Sequence, residues 1–378
     1  MMADKATVLI GIPCLLTGGT EIQTLYLVRA LVESGYHCVT VCYFEFDDTM
    51  VSRYRETGSE VVCLSPNGTR PSRNKEVWSF LKAGLKSVVE KYQPQIAHVQ
   101  YMAPGAMPIF ILNHLGIKTI LATAHTDASI YKRLWIVRHL QRRRTKAFLC
   151  VSRNAEQSFF GDSNLYTPGI HLKRHNHFTI YNCLSPETLI SEPQIQKDTN
   201  KIVIGFVARL EAIKGADYVI PAFAKLIKKI DNCCLEIVGD GKLRQTMQQQ
   251  QKEYGIPEEK VHWHGMVPYS HLQKIYGDFS LMWVPSRSEG FGLTAIEAMA
   301  QGCPVVATRT GGLIDYIDDD KNGSLFTPGD INMMVDKTIA LLSNREKLAA
   351  MSNNAINTAK QYTYEKYKEK IESLYSQL

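Results

Sequence analysis

The sequence contains no apolar run long enough to cross a bilayer. The richest stretch, residues 109–124, is interrupted by polar residues such as Asn113, His114 and Lys118, whereas a membrane-spanning helix needs about 20 predominantly apolar residues. The first residues also lack the pattern of a secretory signal, because an acidic residue stands beside Lys5 and a strand-like run follows directly. These two absences predict a protein of the cytoplasm without a transmembrane helix.

Cysteine motifs are also missing. The nine cysteines include no Cys-x-x-Cys pair, the spacing shared by common zinc and redox sites. Several of them lie in strand-like runs, where reduced thiols serve as small core residues. Because disulfides are rare in the cytoplasm, we expect free thiols and no metal site built from cysteine.

The 378 residues are 45% hydrophobic and 21% charged, which is typical of a globular chain long enough for two domains. The net charge of +6 is uneven, because residues 1–190 hold 21 Lys and Arg against 14 Asp and Glu. A basic first half favours an anionic small molecule or the anionic inner face of a membrane as a partner. Nucleic acid is not expected.

Strand-like runs alternate with helix-length segments through the first half of the chain. The candidate strands are residues 6–13, 37–44, 60–64, 96–101, 119–125, 147–152 and 179–182. Such alternation predicts a parallel sheet covered by helices. The first turn, at Gly18 and Gly19, lacks the three-glycine spacing of a dinucleotide fingerprint. Residues 20–23 fit a capping box that would start the first helix.

A polar stretch at residues 185–200 contains two prolines and is the predicted linker. It separates a first domain, residues 1–190, from a second, residues 201–363, in which strands and helices alternate again. The last segment, residues 364–378, is long enough to form a helix that packs back on the first domain.

The most informative stretch is residues 288–312, which follow a short apolar run. Gly290 and Gly292 allow a tight turn into a helix that starts near Leu293. Glu289 then lies just before the N-terminus of this helix, and Glu297 lies one turn inside it. A helix N-terminus suits a phosphate, and carboxylates accept hydrogen bonds from neutral hydroxyls. This combination is typical of a sugar-nucleotide site.

Two Glu with seven residues between them, followed by a strand and Gly-Gly, resemble the retaining glycosyltransferases of family 4 (glycosyl transferases group 1). The resemblance implies an α/β protein of the GT-B fold, with two Rossmann-like doubly wound domains facing across a cleft. The donor nucleotide would bind the second domain and the acceptor the first. The implied reaction moves a sugar from a nucleotide diphosphate sugar to an acceptor hydroxyl with retention, in polysaccharide or glycolipid biosynthesis.

The same resemblance assigns roles in the second domain. It implies that Glu289 contacts the hydroxyls of the donor sugar and that Glu297 contacts the ribose. The amides of Phe291, Gly292 and Leu293 would meet the diphosphate. Without the resemblance, Glu289 could be an ordinary cap and Glu297 a solvated helix residue.

Two cations follow the first strand of the second domain. Arg209 and Lys214 are five residues apart, where family 4 places an Arg and a Lys, although Ala208 stands where relatives have Gly. Their charges would balance the diphosphate, Arg209 by planar multi-donor contacts and Lys214 as a point charge. Gly239 opens a Val-Gly-Asp-Gly turn that resembles another donor-binding turn of the family.

In the first domain, the resemblance implies that the loop at Gly18 and Gly19 closes over the donor diphosphate. It also implies that His125, at the end of a predicted strand, points at the donor sugar. A plain glycine turn and a structural histidine are the alternatives from the residues alone. Asn182 also matches a family position, but Cys183 replaces the Gly that usually follows.

The family generally needs no metal and no cofactor, so none is expected for the reaction. The donor is expected to be a UDP-, GDP- or ADP-sugar, because the sequence does not distinguish the base. Two other functions stay open, a sugar-nucleotide epimerase of the same two-domain plan and an inactive protein that only binds nucleotide sugar.

Residues 130–146 predict a basic amphipathic helix. Apolar residues occupy one side, and cations including the triple Arg142 to Arg144 occupy much of the rest. With Trp135, such a helix could bind an anionic membrane or guide a phosphate-bearing acceptor. A helix that packs on the sheet and leaves its charged face in water is the alternative.

Overall fold

The computed structural model describes residues 5–100, 106–131, 133–172, 175–192 and 201–378. The chain forms two compact units. Unit 1 comprises Met1–Cys183 and Tyr364–Leu378, and unit 2 comprises Leu184–Thr363. No helix within these described ranges is both long and apolar enough to span a membrane.

Unit 1 contains one sheet of seven strands that pair in parallel, in the order β3-β2-β1-β4-β5-β6-β7. The strands are β1 (Thr7–Ile12), β2 (His37–Cys42), β3 (Glu60–Cys63), β4 (Ile96–Gln100), β5 (Thr119–Ala124), β6 (Ala147–Cys150) and β7 (His177–Thr179). Residue 101, which the sequence placed in the fourth strand, lies outside the described residues. Each central strand is almost continuously buried, as expected when helices cover both faces.

The helices of unit 1 connect these strands and form two apolar layers with them. They are α1 (Gly19–Glu33), α2 (Asp48–Glu56), α3 (Asn74–Tyr92), α4 (Met107–His114), α5 (Leu134–Arg144) and α6 (Arg153–Phe160), and the chain's last helix, α13 (Tyr364–Tyr375), belongs to the same unit. The α13 helix packs on α1, where the Tyr364 hydroxyl donates a hydrogen bond to Glu33 over 3.0 Å.

Two local expectations for unit 1 were wrong. The first helix does not begin with a capping box, because its first residue is Gly19 and no described side chain caps it. The Gln23 side chain instead donates a hydrogen bond to the carbonyl of Cys183 and accepts one from the Cys183 amide. The basic helix is shorter than residues 130–146. It begins at Leu134, because Asp127 caps a separate 3-10 turn, Ala128–Ile130, by accepting a hydrogen bond from the Ser129 amide.

Unit 2 contains a sheet of six parallel strands in the order β10-β9-β8-β11-β12-β13. The strands are β8 (Ile202–Val207), β9 (Cys233–Val238), β10 (Val261–Gly265), β11 (Leu281–Val284), β12 (Val305–Thr308) and β13 (Ser324–Phe326). The helices are α7 (Ala216–Leu226), α8 (Arg244–Glu253), α9 (Tyr269–Asp278), α10 (Leu293–Ala300), α11 (Ile331–Leu342) and α12 (Arg345–Ala359).

Residues 184–192 group with unit 2, whereas the sequence predicted a first domain that extends to residue 190. The Leu184 amide donates to the carbonyl of Tyr362, and the Ser191 amide donates to the carbonyl of Ala300. These hydrogen bonds attach the segment to α10 and to the end of α12.

Both sheets are doubly wound, which confirms the predicted fold class. The strand order reverses between β1 and β4 in unit 1 and between β8 and β11 in unit 2. In open α/β sheets, ligands bind outside the carboxyl ends of the strands at such reversal points. The loops that follow β1 and β4, and those that follow β8 and β11, are therefore where a binding site is expected.

Candidate functional site

In unit 2, the loops after β8 and β11 bring two predicted site residues together. Lys214 follows β8, and its Nζ lies 2.6 Å from Oε1 of Glu289, which follows β11. The Glu289 side chain is only 9% exposed, and it also accepts a hydrogen bond from the Ser286 hydroxyl over 3.1 Å. The pair therefore lies at the point where the strand order reverses, with the lysine the more accessible partner at 24% exposed.

A bidentate ion pair that the sequence reasoning missed fixes the relative position of these two loops. The Arg287 guanidinium donates to both carboxylate oxygens of Asp217 over 2.7 Å, and also to the carbonyl of Ala212. The Arg287 guanidinium in turn holds the pKa of Asp217 below its usual range. Since Arg287 lies two residues before Glu289, the ion pair positions Glu289 against the Lys214 loop.

Glycine is required where the Lys214 loop meets β11. Gly215 has φ +68°, and a Cβ at this position would lie 2.0 Å from the carbonyl oxygen of Pro285. A side chain would push the two loops apart and lengthen the Lys214–Glu289 contact. The Lys-Gly sequence at 214–215 thus has a geometric reason beyond the charge of the lysine.

The second glycine loop supports Glu289 from the other side. A Cβ on Gly311 would lie 1.7 Å from the carbonyl oxygen of Glu289, and that same carbonyl accepts a hydrogen bond from the Gly312 amide over 3.1 Å. The Gly-Gly pair after β12 therefore packs against the backbone of Glu289 and fixes its position. The sequence identified the pair as a motif but not this contact.

The turn at residues 290–292 leads into α10, as the sequence predicted. Gly292 has φ +92°, and its carbonyl accepts a hydrogen bond from the Tyr316 hydroxyl over 2.8 Å. Phe291 is buried against the rings of Tyr316 and Tyr362. No side chain in the described part of the chain caps the helix that starts at Leu293, so its first amides are free to donate to an anion.

Glu297 lies in α10 and is held by tyrosines that the sequence reasoning missed. Its Oε2 accepts a hydrogen bond from the Tyr276 hydroxyl over 2.8 Å, and Tyr269 contributes a second hydrogen bond. Burial raises the pKa of Glu297 to about 7, although both tyrosine hydroxyls act in the opposite direction. The carboxyl group is therefore partly protonated near neutral pH and is not a solvated surface residue.

Arg209 and Gly239 lie in adjacent turns of the same unit. Gly239 has φ +121°, and a Cβ there would lie 2.0 Å from the carbonyl oxygen of Ala208. This close approach, together with a hydrogen bond from the Leu210 amide to the carbonyl of Asp240, seats the turn after β9 on the turn after β8. The Arg209 side chain is 61% exposed and pairs with Glu211 over 3.1 Å, so it is more exposed than Lys214.

In unit 1, the loop at Gly18 and Gly19 lies beside a carboxylate. A Cβ on Gly18 would lie 2.5 Å from Oε2 of Glu21, whose other oxygen accepts a hydrogen bond from the Cys14 thiol over 3.1 Å. In this conformation the start of α1 offers hydrogen-bond acceptors to a ligand. A diphosphate would meet the repulsion of Glu21 unless that side chain turned away.

His125 follows β5 and is nine-tenths buried. Its Nε2 lies 2.9 Å from Oε1 of Gln100, which ends β4. Its Nδ1 and the Gln100 Nε2 have no hydrogen-bond partner among the described residues. Burial lowers the pKa of His125 to about 4, so the ring is neutral at physiological pH.

A small cavity within unit 1, of about 20 Å³, is lined by both of these side chains. Asn182 and His98 line the same cavity, and His98 is bound by the hydroxyls of Tyr375 and Thr123, each over 2.7 Å. The sequence placed His125 and Asn182 at strand ends but did not identify Gln100 or His98, which both belong to β4.

Two doubly wound parallel sheets, with a lysine–carboxylate pair and uncapped helix amides at a strand-order reversal, are typical of enzymes that handle sugar nucleotides. Comparison with known proteins agrees. The sequence model described as glycosyl transferases group 1 matches residues 189–358, and that of glycosyltransferase family 4 matches residues 17–161. The chain belongs to this family of GT-B glycosyltransferases.

Relatives along the whole chain carry the same description. An uncharacterized glycosyltransferase of Methanocaldococcus jannaschii is 28% identical over 96% of this chain and 95% of its own length. The N-acetyl-alpha-D-glucosaminyl L-malate synthase of Bacillus anthracis is 26% identical over 78% of this chain and 77% of its own. Neither name describes an epimerase, and the first favours a transferase over the epimerase that the sequence left open.

A solved structure supports the fold. The structure of HepE from Anabaena, in complex with UDP and glucose, matches with a TM-score of 0.80, covering 99% of this chain and 100% of its own. At 17% identity the likeness shows the fold alone.

Proposed function

We propose that the protein is a retaining glycosyltransferase that moves a sugar from a nucleotide diphosphate sugar to an acceptor hydroxyl. The Lys214–Glu289 pair carries this proposal, because a buried carboxylate beside a more accessible ammonium provides partners for both parts of a donor. The carboxylate accepts hydrogen bonds from sugar hydroxyls, and the ammonium binds a phosphate oxygen.

In the proposed reaction, the bond between the anomeric carbon and the diphosphate oxygen breaks, and its electron pair stays on the diphosphate. Lys214, Arg209 and the amides at residues 291–293, at the start of α10, stabilise the charge that develops there. The acceptor oxygen bonds to the anomeric carbon on the same face, and its proton passes to the leaving diphosphate. Preset donors of this kind are worth roughly 3 kcal/mol of transition-state stabilisation each.

Within this proposal, Glu297 holds the ribose and the turn at Gly239 approaches the phosphates. His125, in unit 1, turns a neutral ring toward the donor sugar. The loop at Gly18 and Gly19 serves the donor diphosphate only after Glu21 moves. No metal or cofactor takes part in the transfer, and the donor is a UDP-, GDP- or ADP-sugar.

The acceptor is a glycan or a lipid-linked molecule, and the enzyme works at the inner face of the membrane. Support comes from α5, where Trp135 is 68% exposed and Arg142 and Arg143 form no pair with another described residue. An exposed tryptophan beside unpaired arginines suits the headgroup region of an anionic bilayer.

The test is product analysis by NMR with a panel of nucleotide sugars and a mixture of candidate glycan and lipid acceptors. The expected result is a glycoside whose anomeric configuration equals that of the donor, together with free nucleotide diphosphate. An inverted product would reject retention. Conversion of the donor to an epimer without acceptor would reject the transferase assignment.

A further inference from the structure

A cluster of metal-binding side chains lies in unit 2 on the edge strand pair β9 and β10. Cys234 and Glu236 are two residues apart on β9, and His262 and His264 are two residues apart on β10. Because alternate residues of a strand share a face, and His262 pairs with Glu236 in the register, the side chains of Cys234, Glu236 and His262 lie on one face of the sheet. The register shifts between Trp263 and Gly265, and His264 reaches the same face through its contact with Glu236.

The atoms are close enough to share one ion. Nδ1 of His262 lies 2.6 Å from Oε1 of Glu236, and Sγ of Cys234 lies 3.9 Å from that same oxygen. One ligand atom from each of these three residues lies within 4.8 Å of the other two. Bonds of about 2.0–2.3 Å to a tetrahedral zinc ion place its ligand atoms about 3.3–3.8 Å apart. The Cys234–Glu236 separation is close to this range, and the His262–Glu236 hydrogen bond would have to lengthen by about 1 Å when the ion binds.

His264 has a different place in the cluster. Its Nε2 lies 2.5 Å from Oε2 of Glu236, whereas His262 and Cys234 contact the other oxygen of that carboxylate. A histidine that binds the second oxygen of a ligating carboxylate orients that ligand and tunes its strength. His264 is therefore a positioning residue of the cluster.

From this geometry we propose that Cys234, Glu236 and His262 bind a divalent transition metal, with Zn²⁺ as the preferred ion. Sulfur and imidazole ligands favour zinc over Mg²⁺ and Ca²⁺, which take oxygen ligands. Cys234 is 1% exposed, whereas the side chain of His262 is 39% exposed, so the ion enters from the solvent side and keeps one coordination position open.

The site is separate from the transfer reaction but lies close to a predicted donor contact. Glu236 precedes Gly239 by three residues, and the Gly239 amide donates to the carbonyl of Gly265, the last residue of β10, over 2.7 Å. A metal that joins β9 to β10 would stiffen the strands beneath this turn. Lys201 also reaches the Cys234 sulfur, and its ammonium must turn to the solvent when the metal binds.

This inference departs from the expectation of no metal site built from cysteine, which rested on the missing Cys-x-x-Cys spacing and on the strand-like runs around the cysteines. The ligands come from two strands that are separated by a helix and its connecting turns in the sequence. Only the pairing of β9 with β10 brings them together.

The experiment is a titration of the full chain with Co²⁺, followed by visible and near-ultraviolet absorption, with Zn²⁺ as the competitor. We expect one Co²⁺ per chain with a thiolate-to-cobalt band that Zn²⁺ abolishes. Cys234→Ser should lose the band, whereas Cys233→Ser, the adjacent buried cysteine on the opposite face, should keep it. His262→Ala should lose binding without disturbing a buried residue.

Positioning and ligation are distinguished by His264→Ala, which should weaken the metal by roughly 10–100-fold rather than abolish it. The exposed His271 on α9 provides the matched control, and His271→Ala should bind as wild type. The proposal is overturned if the wild type binds no cobalt. It is equally overturned if Cys234→Ser keeps the band, because other thiols, such as Cys42 and Cys63, would then hold the metal.

Discussion

The ammonium of Lys214 and the guanidinium of Arg209 have the same predicted role in very different surroundings. Lys214 binds a carboxylate that is 9% exposed, whereas Arg209 is 61% exposed and pairs with a neighbour in its own turn. An ion pair that is partly desolvated contributes more to stability than one in water. Removal of the two cations should therefore have different effects on the stability of the protein.

We expect Lys214→Ala and Arg209→Ala each to lower turnover by about a hundredfold, because each removes a partner of the leaving diphosphate. Lys214→Ala should also lower the melting temperature, since it leaves the Glu289 carboxylate buried without a cation. Arg209→Ala should melt as wild type. Steady-state kinetics and thermal melts measure both effects.

The control is Lys225→Ala, which removes an exposed lysine of α7 that binds Asn332. Its turnover should be unchanged. Wild-type turnover in either Lys214→Ala or Arg209→Ala would remove that residue from the site.

If Glu297 holds the ribose as proposed, nucleotide binding should depend on pH. Burial raises its pKa to about 7 from the usual 4.5, so the folded protein favours the neutral acid. The protein should therefore lose stability as the pH rises from 4.5 through 7, where the carboxyl becomes ionised in its buried place. Since an ionised carboxylate is the better acceptor of hydrogen bonds from the ribose hydroxyls, we expect the affinity for free nucleotide to rise over the same range.

In Glu297→Gln, affinity for free nucleotide should be weaker and should not change across this pH range. Glu289→Gln should instead slow transfer and leave the affinity for free nucleotide nearly unchanged, because the sugar ring changes shape during reaction. Calorimetric titration at several pH values measures both variants. Equal losses of nucleotide affinity in the two would contradict this division of roles.

At the residue scale, the sequence predicted site residues that belong to a motif. It missed the residues that contact them and fix their positions. Glu289, Lys214 and Gly292 come from patterns whose spacing reflects a local turn. Arg287 and Gln100 contact their partners through tertiary packing, which one sequence does not reveal. Nor does the sequence reveal the raised pKa of Glu297, because it depends on burial.

At the scale of elements, the candidate site in unit 2 is formed by turns whose glycines pack closely against the backbone of neighbouring turns. The backbone at Gly311 lies so close to the carbonyl of Glu289 that no Cβ fits between them. We expect Gly311→Ala to lower both the melting temperature and the affinity for the donor, because it displaces Glu289 from Lys214. Thermal melts and calorimetric titration with the donor nucleotide measure the two effects.

Gly116 provides the matched control, since its φ is also positive, +95°, but a Cβ added there would meet no other atom within 4 Å. Gly116→Ala should cost roughly 1–2 kcal/mol of backbone strain and leave donor affinity unchanged. If the two variants have equal donor affinity, the Gly311 loop does not position Glu289.

The α5 helix allows a test of the membrane hypothesis. Its apolar residues Val137 and Leu140 are buried, and Arg138 and Arg144 bind a carbonyl and an amide oxygen of unit 1. One side of α5 therefore packs on unit 1, as the alternative interpretation predicted. What stays a prediction is the role of the other side, which contains Trp135 and the unpaired arginines.

We expect wild type to sediment with anionic vesicles and not with neutral ones, and to lose this preference in high salt. Arg142→Gln with Arg143→Gln should weaken the binding. Lys82→Gln with Lys86→Gln, an equal charge change on the exposed side of α3, should not. If wild type shows no preference for anionic vesicles, the basic side of α5 is simply solvated.

For elements, the pattern of apolar residues predicted most strands of unit 1, and β2, β3 and β5 begin where the predicted runs begin. The last strand was misplaced, because β7 is His177–Thr179 and the prediction was residues 179–182. The other errors fell at helix starts. Thr20 followed by Gln23 has the letters of a capping box, but Gln23 is recruited by Cys183, 160 residues away in the chain. Likewise, the basic helix was predicted to start too early because a 3-10 turn and a helix share the same local spacing of apolar residues.

At the scale of the whole molecule, the alternation of strands and helices predicted two doubly wound units, and the structure confirms that class. The alternation did not predict the order of the strands, which depends on tertiary pairing. The identity of the base, the sugar and the acceptor does not follow, because loops without readable motifs form the pockets that select them.

The central claim is that unit 2 binds a nucleotide diphosphate sugar at Lys214 and Glu289. Thermal unfolding with UDP-, GDP- and ADP-sugars measures this directly, since a ligand at a hundred times its dissociation constant adds about 2.7 kcal/mol of stability. The sugars of one of these nucleotides should raise the melting temperature of wild type and of Lys225→Ala. They should raise the melting temperature of Lys214→Ala much less. If no nucleotide sugar stabilises the wild type, or if Lys214→Ala responds as fully as wild type, the claim is wrong.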